Sequence, residues 1–367
     1  MKPYEIYNEY LFYKAGQMGI PYSGCFELTS RCNLDCKMCY IHKRTNDHEV
    51  IKKEWSAQDW IDLVKECGKK GMLNLLLTGG EPLIRKDFFE IFESCKKLGM
   101  MVSINSNATC IDQNVINYFK GNAPTRINIT LYGASPETYE ALCGDGAAYH
   151  KAVNAILALK RIGVLVKLNY SVTPYNIQDM GKVYQFAKEN RLPIQYATYM
   201  FPPMRACEMS DCSADRLTAE QSAKAQVEYD QLRFNEQEIK ERWKKQLRGL
   251  DVADPDKECQ EVPNTHLKCR AGSSTFWVTW DGKMRPCGMM TSPSVDLNQI
   301  PFGQAWDELR KATKEIYVPS QCVECDLRNV CDQCAAICYA ETGAFTNVPE
   351  YMCDRTKSYL AMMNRIL

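Results

Sequence analysis

Leu73–Leu83 reads LNLLLTGGEPL: an apolar run, a threonine, two glycines, an acid and a proline. The run has the length of a buried parallel strand, and Gly79-Gly80 ends it. Upstream, Ser56 and Asp59 form a capping box ahead of Trp60, Leu63, Val64 and Cys67, which share one helical face. Gly71 can close that helix in a left-handed cap. Downstream, a helical pattern over Asp87–Leu98 stops at Gly99. The rhythm continues on both sides. Strands are predicted at Cys25–Leu28, Leu73–Thr78, Met101–Asn105, Arg126–Leu131, Leu165–Ser171 and Ile194–Tyr199. Further helices are predicted over Lys151–Ile162, stopping at Gly163, and over Asn176–Glu189. Six strands with helices between them predict an α/β fold, a partial (β/α)6 TIM-like barrel. Ligands of such barrels gather at the carboxyl ends of the strands, where GGEP falls.

The chain has 367 residues, 45% hydrophobic and 25% charged, which suits two globular domains with a real core. Lys+Arg and Asp+Glu both number 45, so the net charge is zero, and a general nucleic-acid binder is excluded. MKPYEIYNEY at the start is no secretory signal. No run approaches the ~18 apolar residues of a membrane span. The abnormal number is 19 cysteines. Without an export signal the expected compartment is the reducing cytoplasm, where such a load means metal ligation or redox chemistry.

Cys32, Cys36 and Cys39 lie in RCNLDCKMCY, directly after the first predicted strand. Three thiolates on one loop suit a four-iron cluster with one iron left open. The alternative is structural zinc, which prefers Cys-x2-Cys pairs and four protein ligands. The glycines of GGEP let backbone approach a ligand, and the acid and exposed carbonyls can accept hydrogen bonds from an ammonium group. Most of the scattered cysteines, such as Cys67 and Cys95, sit in apolar periodic segments and read as small core residues.

Thr218 and Gln221 form another capping box, opening a charged helix expected to run to Leu247 and end at Gly249. Its face of Val227, Leu232, Ile239 and Trp243 is available to pack on a domain, and DVADPDKECQEVPN reads as a linker. FWVTWDGKMRPC predicts a hairpin turning at Asp281-Gly282. Beyond the linker the periodicity reads as weak, with cysteine in place of a hydrophobic core. The expected organisation is a 1–23 extension, a 24–215 barrel, a 216–258 helix and linker, and a small cysteine-rich domain over 259–367.

Across about residues 24–210 the chain resembles the radical S-adenosylmethionine (SAM) enzymes. RCNLDCKMCY is similar to their cluster loop, which implies Cys32, Cys36 and Cys39 as iron ligands. Met38 stands where an aromatic residue beside the adenine is common. TGGEPL resembles the segment that holds the SAM amino group, implicating Gly79, Gly80, Glu81 and Pro82. SINSNAT and INITLYGASPETY resemble the ribose-side strands, which adds Ser106 and Thr130. The resemblance implies reductive cleavage of SAM to a 5′-deoxyadenosyl radical that removes hydrogen from an unactivated carbon.

The tail resembles the SPASM extension of these enzymes, which holds two auxiliary [4Fe–4S] clusters and would bring the total to three. By matching positions, Cys322, Cys325, Cys331 and Cys353 would bind the outer cluster, and Cys269, Cys287 and Cys334 the inner one. Cys331-x2-Cys334 departs from the usual Cys-x3-Cys, so Cys338 competes with Cys334. Cys259, in a polar linker, is the expected fourth inner ligand. The implied substrate is a precursor peptide or target protein. The product expected is an oxidative modification, such as a thioether or carbon–carbon crosslink. Formylglycine formation of the sulfatase-maturase type, peptide epimerisation and small-molecule dehydrogenation stand as alternatives. A flavodoxin- or ferredoxin-type reductant is expected. About 23 residues precede the first strand, too few for a winged-helix leader-binding domain, so a separate leader-binding protein is a candidate partner. Minor candidates are Arg205 for a carboxylate, Cys207 and Cys212 as hydrogen donors, and His42 beside the cluster loop.

Overall fold

The computed structural model describes residues 3–41, 43–203, 205, 215–247 and 269–366. Helix α1, Pro3–Met18, leads into strand β1, Ser23–Glu27. Strands β2 Asn74–Thr78, β3 Met101–Ser106, β4 Arg126–Thr130, β5 Val166–Ser171 and β6 Ile194–Ala197 follow. All pair in parallel and in chain order. The six predicted strands are present, with ends moved by no more than two residues. Between them run helices α2 Ala57–Lys69, α3 Phe88–Lys97, α4 Gln113–Gly121, α5 Pro136–Cys143, α6 Ala148–Arg161 and α7 Met180–Glu189. The capping box of α2 forms, and its buried face sets Trp60 against Phe26 of β1, ring centroids 5.1 Å apart. Gly71 follows α2 with φ +96°, a conformation few other residues tolerate.

The helix expected from Thr218 to Leu247 is two helices, α8 Ala219–Arg233 and α9 Glu236–Leu247. Phe234 is extended between them. Asn235 accepts from Glu238 N at 2.9 Å and gives its own N–H to the Glu238 carboxylate at 2.8 Å, a second capping box that starts the helix anew. Ala223, Val227, Ile239 and Trp243 bury against Val330, Tyr359 and Met363 of the tail, while Leu232 stays half-buried outside that cluster. Gly249 lies outside the described residues.

The predicted hairpin is strands β7 Thr275–Val278 and β8 Lys283–Arg285, joined through Asp281-Gly282 and followed by β9 Val295–Asp296. Its placement was not foreseen. β7 pairs in parallel with β1, Cys25 opposite Trp277, so the tail extends the barrel sheet to nine strands, ordered β9-β8-β7-β1-β2-β3-β4-β5-β6. The expectation of weak periodicity in the tail is also corrected. Helix α10, Phe302–Lys314, buries Phe302, Ala305, Trp306 and Leu309 in the same core as Phe26 and Phe276. Those four positions follow the helical i, i+3, i+4, i+7 rule, which the density of cysteines obscured. Trp306 Nε1 donates to Gly19 O at 2.6 Å, tying α10 to the end of α1. Helices α11 Ala335–Thr342 and α12 Glu350–Ile366 complete the tail, with α12 packed along α8.

Candidate active site

Strand β1 runs out into the loop Leu28–Tyr40, which carries Cys32, Cys36 and Cys39. Both flanks of the loop are tied down. Gly80 N donates to Thr29 O at 2.8 Å and Glu81 N to Arg31 O at 2.9 Å. A Cβ on Gly79 would overlap the Thr29 carbonyl, and one on Gly80 the Arg31 carbonyl. The glycines are thus demanded first by the contact of two protein segments, a role the sequence reading had given to a ligand. On the other flank Asp35 N and Lys37 N donate to Cys143 O and Leu142 O at the end of α5, each at 3.0 Å. Arg85, buried, clamps the loop's start by giving Nη1 to Leu28 O at 2.8 Å. Arg31 pairs with Glu54 through Nε and Nη2, each at 2.8 Å.

A cavity of about 210 Å³ opens between this loop and the strand ends. Cys32, Cys36, Cys39 and Met38 line it from the loop, and Gly79 and Gly80 from the turn after β2. Ser106 and Thr130 line it from the ends of β3 and β4. Glu81 and Pro82 do not. Glu81 is fully buried and accepts from Asn107 N at 2.7 Å, Leu83 N at 3.1 Å and the Ser106 hydroxyl at 3.0 Å. Burial pushes its carboxyl up to about 7. In this structure the acid holds Ser106 and Asn107 at the cavity wall. Pro82 is buried at the start of a 3-10 turn.

Cys32 Sγ accepts from Leu34 N at 3.5 Å and from Asn107 Nδ2 at 3.6 Å. Burial pushes the Cys32 thiol far up, and a hydrogen bond with Cys143, then burial, does the same to Cys36. Such thiols ionise on binding metal rather than by losing protons to solvent. Among the described residues no three His, Cys, Asp or Glu side chains converge as a single ion would require. A four-iron cube spreads its thiolates over separate corners. A loop of three thiols with N–H donors aimed at sulfur fits that donor set.

The tail cysteines fall into two groups. Cys322, Cys325, Cys331 and Cys353 line one cavity of about 110 Å³. Cys269, Cys287 and Cys334 are electrostatic neighbours; burial, then Cys269 and Cys334, push the Cys287 thiol up to about 11. Cys338 is fully buried, with neighbours in both groups: Cys322 and Cys331 of the first and Cys334 of the second. Cys207, Cys212, Cys259 and His42 lie outside the described residues.

Arg205 does not wait for a ligand's carboxylate. It binds Glu27 through both Nη atoms, at 2.8 and 2.6 Å, and Trp277 Nε1 adds a third bond to Glu27 at 3.1 Å. Sequence reasoning missed Glu27, Arg85 and Asn107. Asn107 lies within SINSNAT and Arg85 four residues after Glu81, so both carried a signal; Glu27 reads only as a strand residue.

A three-thiol loop and a glycine turn thus meet at the carboxyl edge of a parallel β/α sheet. Residues 26–187, somewhat less than half of the chain, match the Radical SAM superfamily. That match implies a [4Fe–4S] cluster and SAM. The AdoMet-dependent heme synthase of Methanosarcina barkeri is 24% identical over 89% of this chain and 94% of its own length. Among solved structures, native anSMEcpe with bound AdoMet and Kp18Cys peptide superposes with a TM-score of 0.68, at 17% identity, over 94% of this chain and 98% of that one. Streptococcus suis SuiB bound to precursor peptide SuiA gives 0.64, at 15% identity, over 93% and 78%. Among the described residues no helix is long and apolar enough to cross a membrane.

Proposed function

We propose that this chain is a cytoplasmic radical SAM oxidoreductase that modifies a ribosomal peptide, abstracting hydrogen from a side-chain or backbone carbon to form a thioether or carbon–carbon crosslink. Bound at the loop, cluster and SAM supply one-electron sulfonium cleavage and hydrogen abstraction from carbon. The protein's own part is positional. Asn107 and Leu34 hold Cys32 sulfur, Glu81 fixes Ser106, and Met38, Ser106 and Thr130 line the cavity in which the nucleoside would lie.

The observation that carries the oxidative reading is the gathering of Cys322, Cys325, Cys331 and Cys353 around one cavity, with Cys269, Cys287 and Cys334 grouped separately. These sets suit two auxiliary [4Fe–4S] clusters, the inner completed by Cys259, which would take an electron from the substrate radical left by hydrogen abstraction. A flavodoxin- or ferredoxin-type protein would supply the reducing electron, and a separate protein would present any leader. The peptide-bound SuiB and anSMEcpe structures support a peptide substrate.

A second reading is favoured by the full-length relatives named AdoMet-dependent heme synthase, which support a small-molecule substrate. Anaerobic reconstitution, dithionite and SAM test the common chemistry. The wild type should release 5′-deoxyadenosine, and the triple variant C32A/C36A/C39A should not. Cleavage that survives in the triple variant would refute the assignment. Deuterium transfer into 5′-deoxyadenosine from labelled peptide or labelled iron porphyrin then separates the two substrates.

A further inference from the structure

A cavity of about 190 Å³ lies between helices α8, α9 and α12. It shares no lining residue with the cavity of Cys32, Cys36 and Cys39, nor with that of Cys322, Cys325, Cys331 and Cys353. The break in the charged helix builds it. Phe234 leaves α8 extended, at φ −131° and ψ 146°, and the Asn235–Glu238 capping box starts α9 anew. Arg233, at the end of α8, and Arg242, on α9, then converge on one ring. Their guanidinium carbons lie 4.7 and 4.4 Å from the centre of Phe234. An aromatic face offsets only part of such a charge. Two carboxylates line the cavity, and both are engaged elsewhere. Asp332 pairs with Arg355 at 3.2 Å, and Asp230 accepts from the Tyr359 hydroxyl at 2.9 Å. Asp230 takes its hydrogen bonds from Tyr359 and Gln226, while Arg233 and Arg242 act on it only through space. Three guanidiniums therefore line the cavity with two carboxylates, and the two without an ion pair among the described residues share one ring.

The same cavity holds an unmet donor. Trp243 lines it and is only 2% exposed, and its Nε1 is buried with no hydrogen-bond partner. A buried N–H without an acceptor is costly to a fold, and such a group is explained when a ligand completes it. Beside it Ile239, Val330 and Met363 supply apolar wall. We propose that this cleft binds a carboxylate carried on an apolar body, its oxygens held by Arg233 and Arg242. The body lies against Trp243, Ile239 and Met363, and Trp243 Nε1 is a further donor to the ligand. A guanidinium presents paired N–H groups that match the two oxygens of a carboxylate, which orients the ligand as well as retaining it. Val330 and Asp332 flank Cys331, so a ligand in the cleft joins α8 and α9 to the cysteine-rich tail. Two sources offer this chemistry: the C-terminus of a peptide that ends in an apolar residue, and a free aromatic or aliphatic acid.

The test compares acids with their amides by calorimetric titration of the reconstituted enzyme. N-acetylphenylalanine and its amide stand for a peptide terminus, and 3-phenylpropionate and its amide for a free acid. At least one acid should bind about tenfold more tightly than its amide. Acetate, which lacks the apolar body, should bind about tenfold more weakly than that acid. The pair that discriminates more strongly identifies the source of the carboxylate. In R233Q/R242Q, changed at two exposed positions, the preference for the acid should vanish. W243F, which keeps an aromatic ring and removes the N–H, should weaken the acid about threefold. Equal affinity within both pairs, a preference that persists in R233Q/R242Q, or acetate as tight as the aryl acids overturns the proposal. Should W243F fail to fold, the acid–amide comparison and the arginine variant still decide. SAM cleavage is scored separately and should be unchanged in R233Q/R242Q, so loss of the acid preference leaves the radical SAM reading standing.

Discussion

Gly80 lies against Arg31: Glu81 N, the next amide, bonds the Arg31 carbonyl at 2.9 Å, and no Cβ fits on Gly80 without striking that carbonyl. Two motifs 49 residues apart are thereby one structural unit, and the glycine turn sets the height of the cysteine loop.

G80A should accordingly displace the loop. Overpacking of this kind costs about 1–3 kcal/mol. The loss should appear in denaturant unfolding, together with a lower yield of the loop's cluster. G99A, beside which no atom lies within 4 Å, has φ +86° and isolates backbone strain from overlap. Equal behaviour of the two variants would contradict the steric argument.

Iron content tests the thiol groups. The reconstituted wild type should hold about 12 iron atoms, from three four-iron clusters, and C32A/C36A/C39A about four fewer. C334A should lower the content by about four, whereas C338A, whose buried thiol neighbours Cys322, Cys331 and Cys334, should not. A wild type that saturates near four iron with tightly held zinc refutes the auxiliary clusters.

Glu27 is fully buried and its bond to Arg205 crosses 178 residues of chain. Removing one member of a buried pair strands the other, at a cost of about 3–5 kcal/mol. E27Q should lower the urea midpoint accordingly. A change under about 1 kcal/mol, the range of an exposed pair, would show that solvent reaches the pair.

Glu81 gives a pH dependence of defined sign. Its carboxyl stands at about 7 in the fold, above its ordinary 4.5. Between those values the native chain binds a proton that the unfolded chain has lost, so stability falls as pH rises. Its contribution is complete below pH 4.5 and lost as pH climbs through about 7. Urea unfolding of the cluster-free protein from pH 4.5 to 8 should show this decline, and E81Q should flatten it. An unchanged slope in E81Q assigns the decline elsewhere.

Much of this was legible in the linear order of residues. Short apolar runs alternating with capped helical faces specify parallel β/α units, because a crossover leaves few other ways to bury both faces. The spacing of Cys32, Cys36 and Cys39 and the glycine turn marked the cavity, since both lie just beyond strand ends. The tail was read less well. Phe302, Ala305, Trp306 and Leu309 carried a helical signal that the surrounding cysteines hid, and the Asn235–Glu238 box that divides the charged helix was passed over.

The amino-acid sequence by itself determined the strands, their order and the residue types of the thiol loop, because these depend on periodicity and local chemistry. Only the tertiary structure decided what Gly80, Glu81 and Arg205 do. Gly80 meets Arg31, Glu81 turns inward to Ser106, and Arg205 is consumed by Glu27. The same holds for β7 against β1, where residues some 250 positions apart share a ladder. Such pairings depend on which groups remain unsatisfied once the chain is folded, a quantity that no local window of sequence contains.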